Sequence, residues 1–310
     1  MTSLKKLVSF LIVFMVLGIA ALFLLVKGKP TTEETQPLSG VTVQNLGKII
    51  IDQPTGTLIF EKKDTRWEMI QPTQDTTDKD VIDRFLKSLE NFTVGSVISE
   101  SKDRYSQFEI QDASATRLRI FVGGSETPVL DAYVGKEGTA YNTSFFRFAN
   151  QVPVRIASDL SSWELKRPPS DYRLRKVLPA NFKEAAHFKV KSGKIEVSVA
   201  KSSNTWVNEK NQKTVPNEWV QTLSSRLEVW TATSFGGYEK PEVTGVLKPF
   251  MEAEVQTSSG TVSAVIGNPR QFGTAKPVER YAKTEGRDAV LIVTQQVVDD
   301  TLNHLKTFPK

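Results

Sequence analysis

The chain has 310 residues, 39% hydrophobic and 24% charged, a balance that fits one large or two ordinary folded domains and excludes a disordered protein. Its formal charge is +5, but Lys5, Lys6, Lys27 and Lys29 supply four of those charges before residue 30 with no acid among them, so the remainder nets +1. That argues against a nucleic-acid binder, which needs a basic field on its folded part, and the absence of cysteine excludes a disulfide framework, a thiolate metal site and a cysteine nucleophile.

Leu7 to Val26 is a run of twenty residues without a charge, the length that crosses a hydrocarbon core of ~30 Å. It exceeds the apolar region of about 7 to 15 residues in a signal peptide and ends in Leu24, Leu25, Val26, Lys27 rather than at a small-residue cleavage site. The pattern predicts an uncleaved anchor over residues 1–29 that meets the bilayer through residues 7–26. Two lysines flank each side; the free amino terminus favours a cytoplasmic N-terminus. The expected location is therefore the inner (cytoplasmic) membrane, single-pass, with the rest of the chain periplasmic or extracellular. Gly18, Ala20 and Ala21 form a small-residue patch on the run, without a GxxxG motif.

Residues 30–45 begin with the polar run PTTEETQPLSG, which predicts a flexible linker. A hairpin follows: Ile49, Ile50 and Ile51, a turn at Pro54, Thr55 and Gly56, then Leu58, Ile59 and Phe60, with Trp67 beyond. Val81, Ile82, Phe85, Leu86, Leu89 and Phe92 recur at spacings of three and four behind Asp78 and Asp80, the pattern of an amphipathic helix with an acidic first turn. Strands are expected at Arg117 to Val122, Val129 to Val134 and Val152 to Ile156, and a short helix at Asp159 to Trp163.

The second half repeats that order. Trp206 answers Trp67, and Trp219, Val220, Leu223, Leu227 and Trp230 answer Val81, Ile82, Phe85, Leu89 and Phe92. The phrase from Tyr105 to Ile110 is matched to that from Tyr238 to Val243, and the apolar strand ending at Gly135 to the one ending at Gly267. Pro168 and Pro169 break any regular element between the halves. The expected fold is α+β: an N-terminal transmembrane helix, then two tandem copies of a hairpin, helix and antiparallel-strand unit. The boundaries are 46–166 for the first unit, 167–180 for a connector and 181–310 for the second, with a ligand groove expected between the units.

These residues together resemble a bacterial membrane-anchored family, domain-of-unknown-function family 4340: a Trp closing an early hairpin, an acidic helix start, a Tyr-x-x-Phe phrase, a strand ending in Gly, Phe146-Arg147, Trp163, and Asp171-Tyr172-Arg173-Leu174. Phe145 and Phe146 stand where the family pattern carries Tyr. The resemblance implies an envelope protein associated with gliding-motility-type ABC transporter subunits, with membrane protein complex subunits as partners. It transfers no catalytic residue.

No HExxH, GxSxG, P-loop or GxGxxG motif occurs, and His187 and His304 have no evident partner set, so no catalytic residue, metal ligand or cofactor is assigned and the chain is not read as an enzyme. Asp75, Asp78, Asp80 and Asp83 lack the glycine turn of a calcium loop and fit a helix start. Trp67 and Trp206 fit plugs between sheet and helix, with sugar stacking as the sharper alternative. Arg173, Arg175 and Lys176, followed by Lys183, Lys189, Lys191 and Lys194, suggest either an edge strand guarded by lysines or a docking surface for partner or lipid. With Arg147, the residues Trp67, Trp206, Arg173, Arg175 and Lys176 form the candidate ligand or partner contacts. The leading function is a non-enzymatic envelope scaffold; the alternative is binding of glycan or another envelope ligand in the groove between the units.

Overall fold

A computed structural model describes residues 34–237, 239–270 and 278–309. The apolar run from Leu7 to Val26 lies outside them, as do Tyr238 and the start of the linker, and among the described residues no helix is long and apolar enough to cross a membrane. The fold is mixed α+β, dominated by two antiparallel sheets.

The first sheet comprises β1 (Leu46–Gln53), β2 (Gly56–Lys63), β3 (Arg66–Gln71), β4 (Asp75–Thr76), β5 (Thr93–Ser99), β6 (Thr116–Val122), β7 (Leu130–Glu137), β8 (Thr143–Phe148) and β9 (Val154–Ser158), in the spatial order 4-3-2-1-6-7-8-9-5. The second comprises β10 (His187–Ser192), β11 (Ile195–Ser202), β12 (Thr205–Asn208), β13 (Thr214–Val215), β14 (Ser234–Phe235), β15 (Met251–Thr257), β16 (Gly260–Arg270), β17 (Glu279–Thr284) and β18 (Leu291–Thr294), in the order 13-12-11-10-15-16-17-18-14. Strand for strand, the two orders coincide.

Period-2 alternation decides which face each strand buries. Ile49 and Ile51 of β1, Leu58 and Phe60 of β2, and Leu118 and Ile120 of β6 point inward with Ile82, Phe85, Leu86 and Leu89 of α1 (Lys79–Asn91). Asp78 caps that helix by accepting from the backbone N–H of Asp80 at 3.0 Å and of Val81 at 3.2 Å. In the second unit Phe188 and Val190, Val197 and Val199, and Ala253 and Val255 take the matching places under α3 (Asn217–Glu228), which contributes Val220, Leu223 and Leu227. A longer terminal helix, α5 (Gln295–Leu305), packs beside α3, whereas its counterpart in the first unit, α2 (Ser162–Leu165), is a single turn.

One glycine per unit shows how closely the copies agree. A Cβ on Gly135 would lie 2.1 Å from the Phe108 carbonyl oxygen, and a Cβ on Gly267 would lie 2.0 Å from that of Thr244, so only glycine lets the preceding turn rest on the strand. This contact pairs Phe108 with Thr244, at the end of α4 (Pro241–Thr244). The equivalence drawn from Tyr105 and Tyr238, which would set Phe108 against Pro241, is three residues out of step, because the second turn is reached by a chain of different length.

One further expectation is corrected, and the connector is anchored in the same way. Residues 34–45 are not a free linker: Thr35 and Val94 exchange backbone hydrogen bonds of 2.9 and 2.8 Å, and Leu38 is buried in the first core. Residues 167–180 do the same for their neighbours: Ala232 N donates to Arg175 O at 2.8 Å, Val177 N to Trp230 O at 2.9 Å, and Leu178 is buried in the second core. Just before them Tyr172 is buried in the first core, its ring 5.0 Å from Phe60 and 6.1 Å from Phe85. Polar composition concealed these anchors because a short backbone pairing and one apolar side chain suffice to order each segment.

Candidate functional site

The junction of the two units is built on Asp75. Its strand, β4, is an edge of the first sheet and pairs with β3 through Met69. Arg173 follows Tyr172 on the connector, which is held alongside by Leu174 N donating to Thr76 O at 2.9 Å and Asp78 N donating to Tyr172 O at 2.7 Å. Arg287 comes from the turn between β17 and β18, just past Gly286 at φ 72. Arg173 Nε donates to Asp75 Oδ2 at 2.5 Å, while Arg287 Nε and Nη2 reach Oδ1 and Oδ2 at 2.6 and 2.8 Å. Phe235 of β14 floors the cluster, with the guanidinium carbons of Arg173, Arg175 and Arg287 at 3.7, 5.5 and 5.9 Å from its ring centroid.

Burial alone would raise the Asp75 carboxyl, but hydrogen bonds and charge from Arg287 and Arg173 outweigh it and hold the group below its ordinary value. With the carboxylate kept ionised and guanidinium unable to give up its proton, the cluster is an electrostatic lock rather than an acid–base pair. Two cations on one anion, with Arg287 Nη1 buried and lacking a hydrogen-bond partner, favour one arrangement of the units more than they favour stability.

In the first unit Arg147 is 4% exposed and lies between the rings of Tyr105 and Tyr133, 4.7 and 4.3 Å from their centroids. It pairs with Asp112, and Tyr105 Oη donates to Val152 O at 2.8 Å. This group floors an open depression of about 600 Å³ edged by Lys102, Asp103 and Asn150. Tyr105, Phe108, Ile110, Tyr133 and Val154, with Phe145, make a small second core on the outer face of the sheet.

The second unit carries a cleft of about 570 Å³ on its own outer face, between Leu247 and the strands that bear Lys189, Lys191, Glu252, Glu254 and Lys283. Strand β10, which carries Lys189 and Lys191, is flanked by β11 and β15. The edge-strand reading of those lysines is therefore corrected: they pair outward with Glu196 at 3.8 Å and Glu252 at 4.0 Å. Alternation reveals that a strand has an outer face, but not where in the sheet it sits.

His187 does acquire partners. Its Nε2 lies 3.1 Å from Ser198 Oγ and 3.0 Å from Glu209 Oε2, with Nδ1 3.8 Å from Glu254. Ser198 Oγ donates to Glu209 at 2.5 Å, and this bond and the histidine hold the Glu209 carboxyl below its ordinary value. Serine and glutamate thus share one ring nitrogen, and the Glu254 separation exceeds hydrogen-bond reach, unlike a relay in which the histidine stands between base-orienting acid and nucleophile. His304 stacks on Trp219 at 4.4 Å and joins α3 to α5. Among the described residues no group of three His, Cys, Asp or Glu could hold a metal ion.

Of the sequence-selected residues, Arg173 and Arg175 meet at Phe235, and Arg147 lies in its own depression. Lys176 is exposed, its backbone bridged to Thr231. Trp67 and Trp206 are buried in the first and second cores, and Trp206 also borders a shallow groove of about 520 Å³ with Phe182 and Gln221. The three hollows described are each lined by one unit, and the junction holds the arginine cluster. Asp75, Arg287 and Phe235 escaped sequence reading. Asp75 resembled a helix-cap acid, and 212 residues separate it from Arg287.

Fold and sites together define a two-unit α+β protein with an ion-paired junction and two differently finished outer faces. A family model described as a domain of unknown function (DUF4340) matches residues 67–249, which is more than half of the chain and crosses both units. The chain belongs to that family. No curated protein and no solved structure matches it.

Proposed function

We propose that this chain is a non-enzymatic, membrane-anchored envelope protein serving as an auxiliary or scaffold component of an ABC-transporter or gliding-motility-type complex. The observation that carries the reading is the charge-free run from Leu7 to Val26, set only a few residues ahead of the first described backbone pairing of the two-unit body, at Thr35. The resemblance to membrane-anchored members of the family supports the choice of complex. An ion-paired junction suits a scaffold, since it fixes two docking faces in one relation. The folded part is assigned to the periplasmic or outer side and the amino terminus to the cytoplasm.

Gentle detergent extraction of the tagged chain from its own host tests this. Stoichiometric recovery of transporter or motility subunits supports the scaffold, and recovery of the chain alone counts against it. The second reading, binding of a glycan or other envelope ligand, then takes precedence. The cleft beside Leu247, Lys189, Lys191 and Lys283 is its better-supported seat, because the junction between the units is occupied by Asp75 and its arginines.

A further inference from the structure

We propose that one end of the first sheet, bearing Tyr141 and Trp163, rests on the bilayer surface. This deepens the anchored reading and depends on it. Tyr141 is 99% and Trp163 62% exposed, the former in the loop between β7 and β8 and the latter on α2. A chain of contacts places both beside the point where the folded body begins. Thr35 pairs with Val94, Thr93 with Ser158, and Ser158 with Thr143. Asp159 N donates to Asn142 O at 2.9 Å, and Glu137 fixes the start of α2 by accepting from Trp163 N at 2.8 Å. The guanidinium of Arg167 lies 4.3 Å over the Trp163 ring, adding a cation to the same rim.

The length of chain ahead of this point decides what the rim meets. Seven residues separate Val26 from Glu34, so even fully extended the connection spans about 28 Å. A unit of this size is roughly 35 Å across, from the usual scaling of radius of gyration with length. The leash is shorter than the body, so the unit cannot stand upright on its opposite end, and the entry end is the one confined to within about 28 Å of the bilayer. Tyrosine and tryptophan are the residues that favour the interface, with an apolar ring in the acyl boundary and a polar edge among the headgroups. An arginine stacked on the indole suits the same layer.

The absence of cysteine makes the test direct. The full chain is reconstituted into vesicles of phosphatidylethanolamine and phosphatidylglycerol, with and without brominated acyl chains. Single cysteines replace Tyr141 or, at the opposite end of the same sheet, the exposed Glu126, and each carries an environment-sensitive dye. The dye at position 141 is expected to shift to the blue and be quenched by bromolipid, the dye at 126 to do neither, and Trp163→Phe to remove most of the bromolipid quenching of intrinsic emission. Near-ultraviolet dichroism confirms that each variant is folded. Retention through alkaline carbonate without these differences overturns the surface contact and leaves the anchor standing. Release by carbonate overturns both, because the leash argument goes with the anchor. Shielding of position 141 from a soluble quencher without bromolipid quenching assigns the rim to a protein instead, and overturns the bilayer contact.

Discussion

The outer faces of the two sheets stand at matching registers and carry opposite chemistry. In the first unit Asp52 lies across from Arg117 and Ile50 across from Arg119; in the second, Lys191 lies across from Glu252 and Lys189 across from Glu254. At the first of these positions acid and base have exchanged places, and at the second Ile50 stands where the other unit has Lys189. Where the first unit roofs this face with Tyr105, Phe108 and Ile110 against Tyr133 and Phe145, the second carries Val265 in register with Lys283 and keeps Leu247 72% exposed above an open cleft. The inner faces, by contrast, keep the same alternation under the same helix. The inner alternation and the glycine contacts at Gly135 and Gly267 recur in both units, while the outer faces differ.

The largest effect that would break the relation between the units is expected at Asp75. Asp75→Asn leaves the buried Arg287 and the half-buried Arg173 with no countercharge, at a cost of about 3–5 kcal/mol, measurable by denaturant unfolding. Because the folded carboxyl titrates below its unfolded value, its contribution is fully present above the unfolded value near pH 4 and is lost as pH falls through the lower folded one. Acid titration of stability should therefore lose this component in the variant. A cost well below 1 kcal/mol, or an unchanged acid limb, would remove the lock from the account.

A second change sharpens the contrast between the faces. Phe108→Ala empties the small outer core and is expected to cost about 3–5 kcal/mol, while Leu247→Ala, at an exposed rim, should stay within about 0.5 kcal/mol. Equal costs would mean that the cleft of the second unit is closed by packing in solution. Smallest of all, Arg117→Ala removes the bidentate pair with Asp131 at 2.8 and 2.7 Å, and Glu252→Ala removes a 4.0 Å pair with Lys191. Partial exposure limits the first to about 1 kcal/mol and the second to a few tenths. The comparison of charged faces fails if the exposed Glu252 pair proves the stronger of the two in double-mutant cycles.

Elements long enough to display a period were legible in the chain. The threefold and fourfold spacing from Val81 to Phe92 became α1, and the paired apolar triplets became β1 and β2. Trp67 and Trp206 meet Lys62 and Lys201 at corresponding strand positions. Two-residue strands such as β4 and β14 are too short to carry a period. Strand β5 hid because its register against β9 slips between Val94 and Ser99, and Val97 and Ile98 both face solvent. The junction was illegible for a different reason: ion pairs across long sequence separations leave no local pattern, and Asp75 sits among acids that do cap a helix. Arg147 was singled out from sequence, but the two tyrosine rings that enclose it come from a turn and a strand that only folding brings together.

The threading of Tyr172 into the first core and of Val177 and Leu178 into the second also orders events in time. In the order in which the chain emerges, the first unit lacks its last core side chain until residue 172 appears, and the second begins five residues later, with no idle stretch between. Asp75 can then hold Arg173 at once, but its second cation is made 212 residues after it. The nascent first unit therefore waits, nearly complete, with only one of the two arginine partners of Asp75 in place. Arrival of Arg287 from the nearly finished second unit closes the cluster, so the junction records that both halves have been built.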